Sequence, residues 1–250
     1  MALKRRLPSS NRPPPANNLL AALPADDYAR LASTLGTTPL KLKRFLHKPG
    51  APIDQVYFPG GGFASVVTVL KDGAMVEVAT IGREGMLGMS AALTRDPSPS
   101  AAMVQAEIDT CYTMSAEAFR NEMDRRGAFY DLLTRYGQAL VGFIMQSTAC
   151  NAVHSVEQRL SRWLLMAHDR VGKDDFPLTQ EFAAMMLGTS RPTVTVVAGT
   201  LQKAGLIKYH RGHVTVVDRE DLEAASCECY RTATDLLKAV TDRSRISGAR

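Results

Sequence analysis

Hydrophobic and polar positions alternate over residues 38–114 in short runs, each rich in β-branched residues. The runs are PLKLKRFLH, QVYFPGGGFASVVTVL, MVEVATIG and SAAMVQAEIDTCYTM. Turn-forming sequences separate them: Lys-Pro-Gly from residue 48, Gly-Gly-Gly from residue 60, Lys-Asp-Gly from residue 71 and Asp-Pro-Ser-Pro from residue 96. Several short strands at this spacing predict a β-barrel or jelly roll rather than a parallel α/β sheet.

Helical periodicity flanks this β region on both sides. A short helix is predicted over residues 19–35, and a second over residues 115–126 with Ser115 as its N-cap. A longer helix follows over about residues 127–149, and its apolar residues step by four and three positions, as in the a/d seam between paired helices. The residues of this predicted dimer interface are Phe129, Leu133, Tyr136, Leu140 and Phe143. The same stripe would also fit packing on its own domain.

Residues 179–204 have the pattern of a helix-turn-helix motif. Such a motif needs a small residue where its two helices touch and a turn glycine four positions later, and Ala184 and Gly188 meet both requirements. It also needs apolar residues that lock the second helix onto the first. In this sequence those residues are Val194, Val197 and Leu201.

The proline at position 192 marks the start of the second helix rather than a break in it. If Ser190 is the N-cap, Pro192 lies in the first turn, where its missing N–H has no intrahelical partner to lose. This end of the second helix enters the major groove, where Arg can read guanine and Ser or Thr can bond bases or phosphates. Residues 205–218 then predict two strands that form a wing. The predicted DNA-binding residues are Thr179, Gln180, Ser190, Arg191, Thr193, Thr195, Lys208 and Arg211, with His213 as a further wing candidate.

The net charge of the whole chain is weak support for a nucleic-acid partner, whereas the charges around the helix-turn-helix are stronger support. The chain has a net charge of +5 and a pI of about 9.1, but residues 1–18 and 231–250 carry +4 and +3, which leaves the body near −2. From Phe182 to Val217 the sequence has no Asp or Glu, although it has four Lys and Arg residues. This acid-free stretch coincides with the helix-turn-helix and its wing, and it argues against a motif that binds protein instead.

Taken together, these segments resemble the Crp/Fnr family of bacterial transcription regulators over about residues 20–230. LTQEFAAMMLGTSRPTVTVVAGTLQKAGLI resembles the winged helix-turn-helix of that family, and VYFPGGGFASVV, DGAMVEVATIGREGMLG and VQAEIDTC resemble its cyclic-nucleotide-binding-type β-barrel. GREGM and CECY also recur together in one subgroup. The resemblance implies an α+β fold with a barrel, a dimerisation helix and a C-terminal winged helix-turn-helix, in that order. It further implies a cytoplasmic homodimer, not an enzyme, that binds palindromic double-stranded DNA, with RNA polymerase as a further candidate partner.

Five segments follow from this interpretation. A basic, proline-rich disordered arm is predicted over residues 1–18, an effector-type barrel domain with flanking helices over 19–126, and a dimerisation helix over 127–150. The winged helix-turn-helix domain would span residues 151–230, and a C-terminal helix or tail 231–250. No apolar run approaches the roughly 18 residues that a membrane helix needs, so no membrane partner is expected.

Departures from the family pattern limit what the barrel and the recognition helix are expected to bind. Members that bind cyclic AMP hold its ribose and cyclic phosphate with a Gly-Glu-Leu element and an Arg-Ser pair. In this sequence Gly88 is followed by Met89 and Ser90 instead of Glu and Leu. Near the position of the Arg-Ser pair the sequence has Ser100 and Ala101. Without that arginine a cyclic phosphate loses its charge-assisted contact, so dependence on cyclic AMP is not expected and the effector residues stay unassigned. On the recognition helix the family pattern is an arginine, then a glutamate, then a second arginine four residues after the glutamate. In this sequence Pro192 replaces the glutamate and Val196 replaces the second arginine, which predicts a different operator sequence.

No cofactor or metal site is predicted. The absence of any cysteine before Cys111 argues against the iron–sulfur cluster of oxygen-sensing members. Haem and redox sensing by the same fold are the alternatives. Cys227 and Cys229 could form a redox pair, although their spacing is awkward for a disulfide. The histidines considered for haem, none of them assigned, are His47, His154 and His168.

Two further interpretations are weaker. A cupin-like metalloenzyme shares the barrel outline, but it needs clustered His and carboxylate ligands, and only His47 falls among the predicted strands. Arg83 and Glu84 could belong to another ligand site, although an exposed ion pair within a turn is the simpler interpretation.

Overall fold

The computed structural model describes residues 14–89 and 94–242 of the 250-residue chain. Two short helices come first, α1 (Asn18–Ala22) and α2 (Ala25–Leu31), where the sequence predicted one helix over residues 19–35. Leu23 and Pro24 are extended between them, because a proline disfavours the helical conformation in the residue before it.

Asn17 belongs to the folded body and not to the predicted N-terminal arm. Its side chain accepts hydrogen bonds from the backbone of Leu19 and Leu20 and donates to the carbonyl oxygens of Pro59 and Gly85, each at 2.9 Å. The residue is fully buried. The arm is therefore shorter than residues 1–18, and residues 1–13 lie outside the described part of the chain.

Seven strands among the described residues form the predicted β domain, in two antiparallel sheets ordered β1-β7-β3 and β2-β6-β4-β5. The faces of the sheets meet over a core that includes Leu40, Ala64, Val104 and Ile108, each fully buried. Every residue of β6 is buried, since that strand is central to its sheet. The strands are β1 (Gly36–Leu40), β2 (Phe45–His47), β3 (Gln55–Pro59), β4 (Phe63–Val69), β5 (Met75–Ile81), β6 (Ala101–Ala106) and β7 (Ile108–Ser115).

Helix α3 (Ala116–Asp124) and the long helix α4 (Ala128–Val153) follow the barrel. The N-cap predicted at Ser115 is confirmed, because its side chain accepts a hydrogen bond from the N–H of Ala118 at 3.1 Å. Helix α4 packs against the barrel at Gly85, where an added Cβ would lie 2.5 Å from the Tyr136 hydroxyl oxygen. That hydroxyl donates to the carbonyl oxygen of Met86 at 3.0 Å, so the contact is both close and directional.

The stripe predicted as a dimer seam lies in the core of the same chain. Phe129, Leu133, Tyr136 and Phe143 are each at most 2% exposed, and Leu140 is half-buried. Side chains with almost no exposed surface cannot contact a second copy without opening the core. Of the two interpretations of this stripe, packing on its own domain is therefore the correct one, and the placement of a dimer seam there is wrong.

The C-terminal half continues with helices and a small sheet. Helix α5 begins with a capping box formed by Ser155 and Gln158 and ends at Gly172 in the left-handed conformation. Strands β8, β9 and β10 form a sheet ordered β8-β10-β9. The elements are α5 (Val156–Val171), β8 (Asp175–Pro177), α6 (Gln180–Leu187), α7 (Arg191–Lys203), β9 (Ile207–His210), β10 (His213–Val216), α8 (Arg219–Ala224) and α9 (Cys229–Thr241).

The barrel and the C-terminal half share one continuous core. Helix α6 packs against β5, and α9 packs along α4, where Leu236 lies 3.5 Å from the position of a Cβ on Gly142. Glu84 forms an ion pair with Arg170 of α5 at 2.7 Å, so it does not pair with its neighbour Arg83 as the sequence suggested. Within the described residues, no helix has both the length and the apolarity needed to cross a membrane.

Candidate functional site

The predicted helix-turn-helix is formed by α6 and α7. Thr179 caps α6 by accepting a hydrogen bond from the N–H of Phe182 at 3.2 Å, and Gly188 ends it with a φ of 58°. Ser190 caps α7 in the same way through the N–H of Thr193 at 3.3 Å, and Pro192 lies in the first turn, as expected. Both helix starts are therefore stabilised locally by the residues that the sequence singled out.

Apolar contacts hold α7 at a defined angle against the rest of the domain. Val194 and Leu201 are buried as predicted, whereas Val197 is only half-buried and Ala198 completes the contact. Arg159 of α5 donates to the carbonyl oxygen of Leu187 at 3.1 Å, at the C-terminal end of α6. A guanidinium at this end complements the helix dipole and fixes α6 against α5.

The predicted DNA-contacting residues of the helix-turn-helix lie at the starts of α6 and α7. Ser190, Arg191 and Thr195 are exposed at the start of α7, and Thr193 is half-exposed beside them. The Thr195 hydroxyl donates to the side-chain oxygen of Gln180 at 2.7 Å, which joins the starts of α6 and α7. The sequence alone did not place this contact, because the two residues are on different helices.

Val196 is a surface residue that the sequence-based site did not include. It lies one turn after Pro192, on the outward side of α7, and its side chain is 70% exposed. An exposed large apolar side chain beside polar groups is suited to the methyl group of thymine. The sequence did mark this position, because Val196 stands where the resemblance places a second arginine, but it assigned Val196 no contact.

The wing is a tight hairpin of β9 and β10. Val214 pairs with Tyr209, and the turn consists of Arg211 and Gly212, whose φ angles of 48° and 79° are both positive. Two-residue turns of this kind match the twist of the flanking strands. Arg211 is exposed at the tip, and Lys208 is exposed on β9.

Strand β8 was not predicted from the sequence and adds a third strand to the wing. Phe176 pairs with Val214, which is fully buried. Asp175 accepts hydrogen bonds from the ring of His213 and from the Thr215 hydroxyl, each at 3.0 Å, and these bonds lower the pKa of the Asp175 carboxyl. His213 is therefore engaged within the sheet through Nδ1.

A groove of about 470 Å³ separates the start of α7 from the hairpin between β4 and β5. Its walls include residues 73–76 of the hairpin, Met185 of α6 and Arg191. Val76 approaches the turn glycine Gly188, within 3.5 Å of the position that a Cβ would take. The helix end that carries Arg191 thus borders the barrel, so its accessibility depends on how the two halves are packed.

The region where cyclic-nucleotide-binding proteins hold their ligand differs here in its chemistry. Met89 packs on Gly137 of α4, within 2.8 Å of the position of a Cβ there. Ala101 is fully buried where the family pattern has polar residues, and the Ser98 hydroxyl donates to the carbonyl oxygen of Ser100 at 2.9 Å. Ser90 lies outside the described residues. The proposal that no cyclic nucleotide binds thus continues to depend on the missing arginine.

One cluster of possible metal ligands stands apart from the DNA-facing surface. One ligand atom each from Cys150, His154, Cys227 and Cys229 lies within 4.8 Å of all the others. The three cysteines are buried and His154 is half-buried. Burial raises the pKa of the Cys150 thiol to about 12 and also raises the pKa of Cys227. The other two histidines considered for haem lie elsewhere, His47 on β2 and His168 on α5.

Comparisons with known proteins agree with both halves of this architecture. The cyclic nucleotide-binding domain matches residues 38–126, and the Crp-like helix-turn-helix domain matches residues 158–225. A search of curated proteins gave no significant match.

Several solved structures share the fold at low sequence identity. The c-di-GMP-responsive global regulator CLP of Xanthomonas campestris is 15% identical with a TM-score of 0.62, over 77% of this chain and 99% of that chain. A crp/fnr-family transcriptional regulator from Eubacterium rectale is 21% identical with a TM-score of 0.62, over 84% and 98%. A CRP-family regulator from Thermus thermophilus is 18% identical with a TM-score of 0.62, over 77% and 99%. With both domain types present in this order, the chain belongs to the Crp/Fnr family of transcriptional regulators.

Proposed function

We propose that this protein is a sequence-specific DNA-binding regulator that acts as a homodimer on a palindromic operator, without cyclic AMP and without catalysis. The observation that carries this proposal is the start of α7, which has no acidic residue. Ser190, Arg191 and Thr195 are exposed there, while Val194 is fully buried and holds the helix in place. In a helix-turn-helix this end of the second helix enters the major groove.

The exposed side chains divide into base-reading and phosphate-binding groups. Arg191 can donate two hydrogen bonds to the O6 and N7 atoms of guanine, and Val196 can contact a thymine methyl group. Ser190 and Thr179 sit at helix N-termini, which favour phosphate through their N–H groups. Lys208 and Arg211 on the wing would bind the DNA backbone and contribute affinity without sequence preference.

A second stripe on α4 provides the dimer interface in this proposal. Its exposed residues step by four and three positions, on the face that neither the barrel nor α9 covers: Thr134, Gln138, Val141, Met145, Thr148 and Ala152. Val141 and Met145 are 57% and 67% exposed at its centre. This spacing fits two α4 helices paired around a two-fold axis, in which each copy uses the same surface.

A two-fold dimer places two recognition helices on one face of the duplex. The half-site centres should then lie about 34 Å apart, one turn of DNA. Each half-site should keep one strong Arg–guanine contact, because Val196 stands where the family has a second arginine. Contact with RNA polymerase stays a prediction from the resemblance.

The test begins with selection of binding sites from random duplex DNA by the purified full-length chain. We expect an inverted repeat whose halves are one turn apart, with affinity that falls steeply with salt. Arg191→Ala should weaken the selected site by about 1–3 kcal/mol per half-site and relax one base position. Arg125→Ala is the matched control, because Arg125 is exposed at the end of α3, far along the chain from the motif.

The wing variants distinguish phosphate-binding from base-reading side chains. Arg211→Ala should weaken selected and unrelated DNA alike. It should also reduce the slope of log affinity against log salt by about 1 for each phosphate that the variant no longer neutralises. No enrichment of any sequence, or an unchanged affinity of Arg191→Ala for the enriched site, would show that α7 does not read DNA.

A further inference from the structure

We propose that Cys150, His154, Cys227 and Cys229 bind one zinc ion, which links the end of α4 to the start of α9. Cys150 and His154 occupy the last turn of α4 and its C-cap, one helical turn apart. Cys227 and Cys229 lie just before α9 and at its first residue. The four residues therefore come from two segments that are separated by more than 70 positions in the chain.

Two of the ligand–ligand distances are close to the edges of a tetrahedron around a single ion. With Zn–S bonds of about 2.3 Å and a Zn–N bond of about 2.1 Å, two thiolates lie about 3.8 Å apart and a thiolate and a nitrogen about 3.6 Å apart. The Cys150 and Cys227 sulfur atoms are 3.5 Å apart. The Cys229 sulfur is also 3.5 Å from Nδ1 of His154. Both distances are therefore already close to those of a zinc site, without an ion between the ligands.

The three cysteines and one histidine favour zinc over other metal ions. Thiolate with imidazole in a tetrahedral arrangement is typical of zinc, whereas Mg²⁺ and Ca²⁺ require oxygen ligands. Four protein ligands also close the coordination shell, which is the arrangement of structural rather than catalytic zinc. The mutual separations of at most 4.8 Å suit one ion between the ligands.

Neighbouring groups are arranged to support the ligands. Nε2 of His154 faces a carboxylate oxygen of Glu228 at 3.3 Å, so the carboxylate can hold the ring with Nδ1 turned toward the sulfur atoms. The side-chain amide of Gln146 donates to the Cys229 sulfur at 3.0 Å. These neighbours are the outer-shell partners that a zinc site with three thiolates needs.

The direct measurement is the zinc content of the purified full-length chain, by elemental mass spectrometry and intact mass under native conditions. We expect one zinc per chain, which is retained in Cys111→Ser and absent from Cys227→Ser. Cys111 is the matched control because it is the remaining cysteine and is buried within the barrel. Replacement of zinc by Co²⁺ should produce the visible absorption and the thiolate-to-cobalt band of a tetrahedral site.

Glu228→Gln keeps the test informative if cysteine variants fail to fold. Glu228 is 73% exposed, so the substitution leaves the core intact, and removal of the carboxylate should weaken zinc binding about 10–100-fold in competition with a chromophoric chelator. A reduced chain that takes up neither zinc nor cobalt would overturn the proposal. So would equal zinc content in Cys227→Ser, or an intact mass about 2 Da lower together with a peptide map that places a disulfide between Cys150 and Cys227.

Discussion

Glu77 is expected to make the stability of the protein depend on pH near neutrality. It lies on β5, and its carboxylate accepts hydrogen bonds from the Ser65 hydroxyl and from the indole N–H of Trp163, the latter at 2.9 Å. Burial between the barrel and α5 opposes ionisation more strongly than these bonds and the nearby guanidinium groups of Arg162 and Arg170 favour it. The pKa of Glu77 is therefore raised from 4.5 to about 7.

The direction of the pH dependence follows from the protonation of Glu77 in the folded and the unfolded chain. Between pH 4.5 and about 7 this carboxyl is protonated in the folded chain and ionised in the unfolded chain, so rising pH favours unfolding. The contribution is fully present below pH 4.5 and is lost as pH rises to about 7. At ~1.4 kcal/mol per pKa unit, the loss amounts to about 3 kcal/mol.

Glu77→Gln removes the titration and keeps the hydrogen-bonding shape, because an amide can accept from Trp163 and donate to Ser65. We expect the variant to gain stability relative to the natural chain as pH rises, by up to about 3 kcal/mol above pH 7. The assay is urea unfolding from pH 5 to 8 at fixed ionic strength, protein and zinc concentration, since binding and assembly shift apparent stability.

The difference in unfolding free energy between Glu77→Gln and the natural chain reports on Glu77 alone, because both chains share every other titrating group. Glu117→Gln, at an exposed position on α3, is the control for the removal of one carboxylate and should not reproduce the pH-dependent difference. Parallel stability curves for Glu77→Gln and the natural chain across this range would refute the reasoning, since they would mean that Glu77 ionises equally in both states.

Three further outcomes are expected. Arg191→Ala should lose about 1–3 kcal/mol per half-site of the selected operator, measured by fluorescence anisotropy. Met145→Glu should convert dimer to monomer in sedimentation at micromolar concentration while the thermal unfolding of each chain is retained, because the side chain is 67% exposed; an unchanged dimer would place the interface elsewhere. Gly85→Ala should lower stability by about 1–3 kcal/mol, because its Cβ would lie 2.5 Å from the buried Tyr136 hydroxyl, whereas Gly61→Ala, with open space around it, should not.

Local signals were sufficient to identify the helix-turn-helix. The caps at Thr179 and Ser190, the turn at Gly188 and the proline in the first turn each depend on residues within four positions. The alternation of the β region likewise predicted a barrel, because strand periodicity is a property of consecutive residues. Strand β8 was missed because its three residues become a strand only through pairing with β10.

The sequence by itself determined which residues of each helix share a face, but not what covers that face. Two stripes on α4 have the same spacing of four and three, and only the packing of the barrel shows that Tyr136 is buried while Met145 is exposed. In the same way, Cys150 and Cys227 are both visible in the sequence, but they are separated by 77 positions and the sequence carries no signal of their proximity. Tertiary structure decided these points because burial and proximity arise from the whole chain closing on itself, whereas propensity and periodicity act over a few neighbouring residues.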